Sequence, residues 1–119
     1  MYKVKLRKTN RERRKAKIRG SIFGTAAKPR LTVFRSNKYT YAQLIDDAKG
    51  VTVASVAKEA GDLHKGKNKV EAASEVGALL AKKALKDKIE EAVFDRNGYK
   101  FHGRVKNVCE GARKGGLKI

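Results

Sequence analysis

The chain has 119 residues, 40% hydrophobic and 35% charged, and its 30 Lys and Arg against 12 Asp and Glu give a formal net charge of +18. One domain with a small core is expected at this length; a two-domain enzyme with a large cleft and a wholly disordered chain are both disfavoured. A small domain stays soluble on a net charge of about 2–8, so the surplus points to a polyanionic partner, either nucleic acid or an anionic membrane surface.

The excess is unevenly placed. Residues 1–30 carry 12 Lys or Arg and one acid, Glu12, whereas residues 31–119 carry 18 Lys or Arg and 11 acids. The boundary near Pro29 predicts a basic arm over residues 1–29 and a single globular domain over residues 30–119. The arm's bulky apolar residues are Val4, Leu6, Ile18, Ile22 and Phe23, too few to offset the entropy of ordering it alone. It nevertheless has helix punctuation: Thr9 and Glu12 are spaced as a capping box, and Gly20 supplies a stop. Between them Arg11, Arg13, Arg14, Lys15, Lys17 and Arg19 surround a helix and repel one another. A bound polyanion removes that repulsion, so the arm is expected to be frayed alone and helical when bound.

Beyond Pro29, residues 31–34 form a short β-type run. Residues 39–45 alternate, with Tyr39, Tyr41, Gln43 and Ile45 on one face and Thr40, Ala42 and Leu44 on the other. Residues 51–57 are β-branched and apolar. Connections of hairpin length join the three runs, which predicts an antiparallel meander. After a polar, Gly-containing loop over residues 58–67, a helix is expected from Asn68, whose side chain can cap it with Glu71 three residues on. Val70, Ala73, Gly77, Leu80 and Ala84, with Val76 and Ala81, form a small-residue stripe suited to lying close on the meander. Residues 92–94 are a further strand, Asn97-Gly98 a turn, and Val105, Val108, Cys109 and Ala112 the packed face of a second helix over residues 102–114 that stops at Gly115-Gly116. The order is β-β-β-α-β-α. A strand reached through a helix lies parallel to its partner by a right-handed crossover, so the expected fold is α/β, a mixed sheet with helices packed on it.

Three possible chemical sites each lack a residue that their chemistry needs. Gly61, four residues, Gly66 and Lys67 approach a phosphate-binding loop, and Asp95 ends an apolar strand as a metal-binding Asp would. Asn68, however, stands where that loop needs Ser or Thr for Mg²⁺, and the loop is long. A ribonuclease H-type nuclease needs several converging acids; the first strand has none, and Asp46 and Asp47 read as turn formers. His64, His102 and Cys109 lack metal-site spacing, and Cys109 reads as a small core residue. A single Cys excludes an internal disulfide and fits a reducing compartment. No apolar run approaches the ~20 residues of a membrane span, and none follows the basic start as in a secretory signal. The expectation is a chain with no enzyme activity, cofactor, metal or membrane partner; nucleotide binding at Gly61–Lys67 and nonspecific polyanion binding are the alternatives.

Two stretches are more specific. Residues 30–47 read RLTVFRSNKYTYAQLIDD and residues 95–117 read DRNGYKFHGRVKNVCEGARKGGL. With the basic arm, they closely resemble the bacterial large-subunit ribosomal protein numbered eighteen, over essentially the whole chain. The resemblance implies a ribonuclease H-like arrangement without its catalysis, in a cytoplasmic ribosomal protein that is a monomer when free. It implies binding to 5S ribosomal RNA and its attachment to the large-subunit RNA in the central protuberance. Neighbouring large-subunit proteins, including the other 5S RNA binders, are further partners it implies. Carried onto this chain, the RNA contacts are Arg7, Lys8, Arg11, Arg13, Arg14, Lys15, Lys17 and Arg19 on the arm. Arg30, Arg35, Ser36, Asn37, Lys38, Tyr39 and Tyr41 follow on the first hairpin. Arg96, Tyr99, His102, Arg104 and Lys106 lie around the last turn and helix start. Of the tyrosines, Tyr39 and Tyr41 can either stack on an unpaired base or pack within the hairpin.

Overall fold

A computed structural model describes residues 10–57, 59, 63–66 and 68–119. Among them the elements are helix α1 (Asn10–Ser21), strands β1 (Arg30–Arg35), β2 (Thr40–Asp46) and β3 (Val51–Val56), helix α2 (Lys69–Lys86), strand β4 (Val93–Asp95) and helix α3 (Arg104–Lys114). Arg7, Lys8 and the Thr9 half of the expected capping box lie outside the described residues, as do Gly61 and Lys67.

The sheet runs β3-β2-β1-β4. β1 pairs antiparallel with β2, and β2 with β3, as the meander requires. β4, reached through α2, pairs parallel with β1 from Arg30↔Val93 to Thr32↔Asp95. The mixed α/β fold is therefore the one expected from the element order; a ribonuclease H-like arrangement is met in part, in this meander with its parallel fourth strand.

The two faces of the sheet differ. Leu31, Val33, Ala42, Leu44 and Val56 are buried on one face against Val76, Leu80, Ala81 and Ala84 of α2 and Val105, Val108 and Ala112 of α3. Asn68 caps α2 as expected, its Oδ1 accepting the Glu71 N–H at 2.8 Å. The small stripe on α2 packs on the meander as expected, and its Gly77 serves a second neighbour. Gly77 lies against the Val108 carbonyl of α3 and Gly111 against the Ser74 carbonyl of α2, with no room for a Cβ at either. Two glycines, one per helix, thus bring the helix backbones into contact, while Val76 and Leu80 reach the core. Val70 and Leu85 flank the buried stretch of α2 and are 44% and 40% exposed.

These contacts reverse the usual sign of a Gly-to-Ala change. Within an exposed helix Ala is better than Gly by about 1 kcal/mol. Gly77→Ala is instead expected to destabilise by about 1–3 kcal/mol, because its Cβ must push α3 away. Gly20 is the internal control: α1 runs one residue past it to Ser21, so it does not stop the helix, and nothing lies within 4 Å of a Cβ there. Gly20→Ala should leave melting unchanged and raise helicity. Circular dichroism and thermal unfolding of the two variants check both signs.

Two connections differ in character. Asn97 and Gly98 both have positive φ (53° and 76°), and the Tyr99 N–H closes the turn on the Arg96 carbonyl at 3.0 Å. Asp46 forms its turn as expected, its Oδ1 accepting from the Ala48 N–H at 3.0 Å. Asp47 does more than turn the chain: its Oδ2 accepts the Gly24 N–H at 2.8 Å, and both its oxygens bind Arg30.

Candidate nucleic-acid interface

The three basic segments are far apart in sequence but meet at one end of the sheet. Tyr99, just after the Asn97-Gly98 turn, is the meeting point. The Arg11 guanidinium of α1 lies 4.1 Å from its ring centroid and that of Arg35, at the end of β1, lies 4.8 Å from it. Each is a cation–π contact, worth about 0.5–1 kcal/mol at an exposed site. Arg14 Nε donates to the Gly98 carbonyl at 3.1 Å, and Arg96 Nη1 to the Tyr99 carbonyl at 2.9 Å. Gly98 is necessary on two counts, its positive φ and its approach to α1, where a Cβ would come within 2.6 Å of the Arg11 carbonyl. Arg11, Arg14, Arg35, Gly98, Tyr99, Lys100 and His102 enclose a cleft of about 280 Å³, and no carboxylate is among them.

Arg104 fastens the third segment to the first hairpin, its Nη1 donating to the Ser36 carbonyl at 2.9 Å. Its pKa is lowered, by burial first and by the neighbouring Arg35 charge second. α3 begins beside it at Gly103 with no side-chain cap and no acid in its first turn, so the helix end favours an anion. Lys106 is half exposed, 3.9 Å from Glu110. Arg13 and Lys17 point outward from α1, which buries none of its residues, and Asn37 and Lys38 are exposed at the tip of the β1–β2 hairpin.

Some expected positions also have partners within the chain. Arg30 is 4% exposed, held on one side by Asp47 and on the other by Asp95, 2.7 Å from its Nη1. The period of a strand puts it on the face of Thr32 and Phe34, where these two carboxylates neutralise it and it lines the groove on that face. Burial opposes its charge, but the hydrogen bonds to Asp47 and Asp95 outweigh that and raise its pKa. Asp95, which the nucleotide-enzyme alternative would place on a metal, is thereby accounted for as an ion-pair partner. The Ser36 hydroxyl closes its own turn, accepting the Tyr39 N–H at 3.0 Å, and is not free for phosphate. Tyr39 packs edge-on to His64 and Tyr41, while Tyr41 pairs with Phe34. Lys15 and Arg19 turn toward the sheet, Arg19 lying 3.9 Å from Asp47. Cys109 is buried on α3, and burial pushes its thiol up. Sequence reasoning passed over Lys100 and Phe34. Lys100 adjoins the Asn-Gly turn, which could have flagged it; Phe34 reads as an ordinary strand residue.

Comparison with known proteins bears on this arrangement. The family described as ribosomal L18 of archaea, bacteria, mitochondria and chloroplasts matches residues 5–119. A large ribosomal subunit protein uL18 of Limosilactobacillus reuteri is 56% identical over 109 residues, covering 92% of each chain. The uL18 of Brachyspira hyodysenteriae is 52% identical over 94% of each chain, and that of Staphylococcus aureus is 52% identical over 92% of each.

Proposed function

Because the chain belongs to the ribosomal L18 family, we propose that it is a structural, non-enzymatic constituent of the large ribosomal subunit that binds 5S ribosomal RNA. In this reading it helps attach 5S RNA to the large-subunit RNA in the central protuberance, among neighbouring large-subunit proteins that include the other 5S RNA binders. Its setting is the cytoplasmic ribosome.

The observation that carries the reading is the convergence on Tyr99. Arg11 and Arg14 from the arm, Arg35 from the hairpin and Lys100 beyond the last turn present their charges around one acid-free cleft. Folded RNA offers phosphates and 2′-hydroxyls across a wide, shallow groove rather than accessible major-groove base edges. Guanidinium groups suit it, since each can grip a phosphate through two N–H groups. The exposed Arg13, Lys17 and Lys38 extend the basic surface to either side. In this reading residues 1–29 act as the arm that grips RNA, helical when bound.

A competition experiment tests this. Labelled 5S RNA bound to the chain is challenged with excess transfer RNA, duplex DNA and anionic vesicles. Retention of 5S RNA against all three is the expected result. Equal displacement by any polyanion would make the chain a nonspecific binder and overturn the reading.

A further inference from the structure

The arm joins the domain at an acid. Helix α1 ends at Ser21, and Ile22 and Phe23 lead from it to Gly24. Gly24 is buried between the start of β1 and the end of β2, where a Cβ would come within 2.5 Å of the Arg30 nitrogen and of the Ile45 carbonyl oxygen. Asp47 holds both backbone groups of this glycine. Its Oδ2 accepts the Gly24 N–H at 2.8 Å, and its own N–H donates to the Gly24 carbonyl at 3.0 Å. Arg30 fixes the same carboxylate, with Nε on Oδ2 at 2.9 Å and Nη2 on Oδ1 at 3.1 Å. Oδ1 also lies 3.9 Å from Arg19, in the last turn of α1. α1 buries none of its residues, so its direction is set at its ends. This clasp holds one end, and the contacts of Arg11 with the Tyr99 ring and of Arg14 with Gly98 hold the other.

We propose that Asp47 is a positioning residue for RNA binding: it touches no RNA and acts by aiming the arm. This rests on the reading that the chain binds 5S RNA through its arm and its domain together. Two linked modules bind far more tightly than either alone when the link lets both engage at once, and a loose link forfeits part of that gain. The clasp puts a negative charge beside Arg19 and Arg30, where an acid by itself repels a polyanion. A carboxylate is nonetheless what the place requires. The group must accept from a backbone N–H and from two guanidinium N–H groups, which takes two acceptor oxygens and no donor. An asparagine there would turn an NH₂ toward one of those donors.

The sign of one substitution tests this. If Asp47 did no more than repel phosphate, Asp47→Ala would bind 5S RNA more tightly. The substitution is expected instead to weaken binding roughly tenfold, by lowering the effective concentration of the arm at its place on the RNA. That loss should largely disappear when Arg11, Arg13 and Arg14 are already Ala, because an arm stripped of these charges gains little from being aimed. Circular dichroism at the assay temperature establishes that each variant is folded. Unchanged or tighter binding of Asp47→Ala overturns the proposal. An equal loss in both backgrounds also overturns it, since the effect would then lie in the domain and not in the arm. Should Asp47→Ala not fold, hydrogen exchange of the unaltered free chain decides. The Gly24 N–H is expected to exchange as slowly as the paired amides of β1, and exchange at the rate of an unstructured chain overturns the proposal. If the unaltered chain shows no preference for 5S RNA, the underlying reading fails, which is a different result from any of these.

Discussion

Arg30→Met is expected to lower stability by about 3–5 kcal/mol, the range for breaking a buried ion pair from one side. On a domain of this size that corresponds to a fall in Tm on the order of 10–20 °C. Arg30 joins three segments. Its Nη1 meets Asp95 at the end of β4 at 2.7 Å, its Nε and Nη2 meet Asp47 at 2.9 and 3.1 Å, and Asp47 in turn holds the Gly24 N–H. The Asp95 side chain is fully buried, so without Arg30 its charge has neither water nor cation. Pairing Arg30→Met with Asp95→Asn should recover a large part of the loss, because the neutral amide no longer needs the guanidinium. The acid limb of the stability curve provides a second check. The hydrogen bond from Arg30 lowers the Asp47 pKa more than burial raises it. A carboxylate depressed in the folded state contributes stability above its unfolded pKa and loses it as pH falls through the folded value. Stability should therefore drop on acidification below about pH 4, and that part of the drop should be shallower in Arg30→Met.

Arg30 also marks where sequence reading stops. The strands, the capped helix from Asn68, the Asn97-Gly98 turn and the parallel fourth strand all follow from periodicity and turn chemistry, which are local. The identity of the partners across the sheet is not local. Asp95 lies 65 residues from Arg30, and an Arg beginning a strand looks the same in sequence whether it meets phosphate or carboxylate. Alternation separates the two faces of β1 and β2 but does not say which one the helices cover. Phe34 was passed over for this reason, and the tyrosines could not be divided into one packed edge-on and one paired with Phe34. Likewise a stripe of small residues announces close packing without naming every neighbour. Gly77 turned out to admit another helix's carbonyl rather than the sheet. The charge count pointed to a polyanion, and the Tyr99 junction supplied what it lacked, a place where charges from three segments meet.

The arm offers the largest expected change in affinity. If about eight phosphates are neutralised, log K should fall against log salt with a slope of roughly −6 to −7. Replacing Arg11, Arg13 and Arg14 together by Ala should make that slope shallower by about 2–3, one counterion-releasing contact for each side chain. If the nonelectrostatic part is unaltered, the two salt lines converge near 1 M. Binding at 0.1 M should then be weaker by roughly 100- to 1,000-fold. The folded core should feel little of this, because α1 buries none of its residues. Arg11 gives up its contact with the Tyr99 ring and Arg14 its bond to Gly98, together a shift of about 1–2 kcal/mol at most. Arg13, fully outward, should change the slope alone. Filter binding across a salt series, with thermal melting of the same variants, separates the two effects. A slope near −2 for the unaltered chain would contradict the phosphate count. Loss of the core's cooperative transition in the triple variant would mean that residues 1–29 are part of the domain and not an arm attached to it.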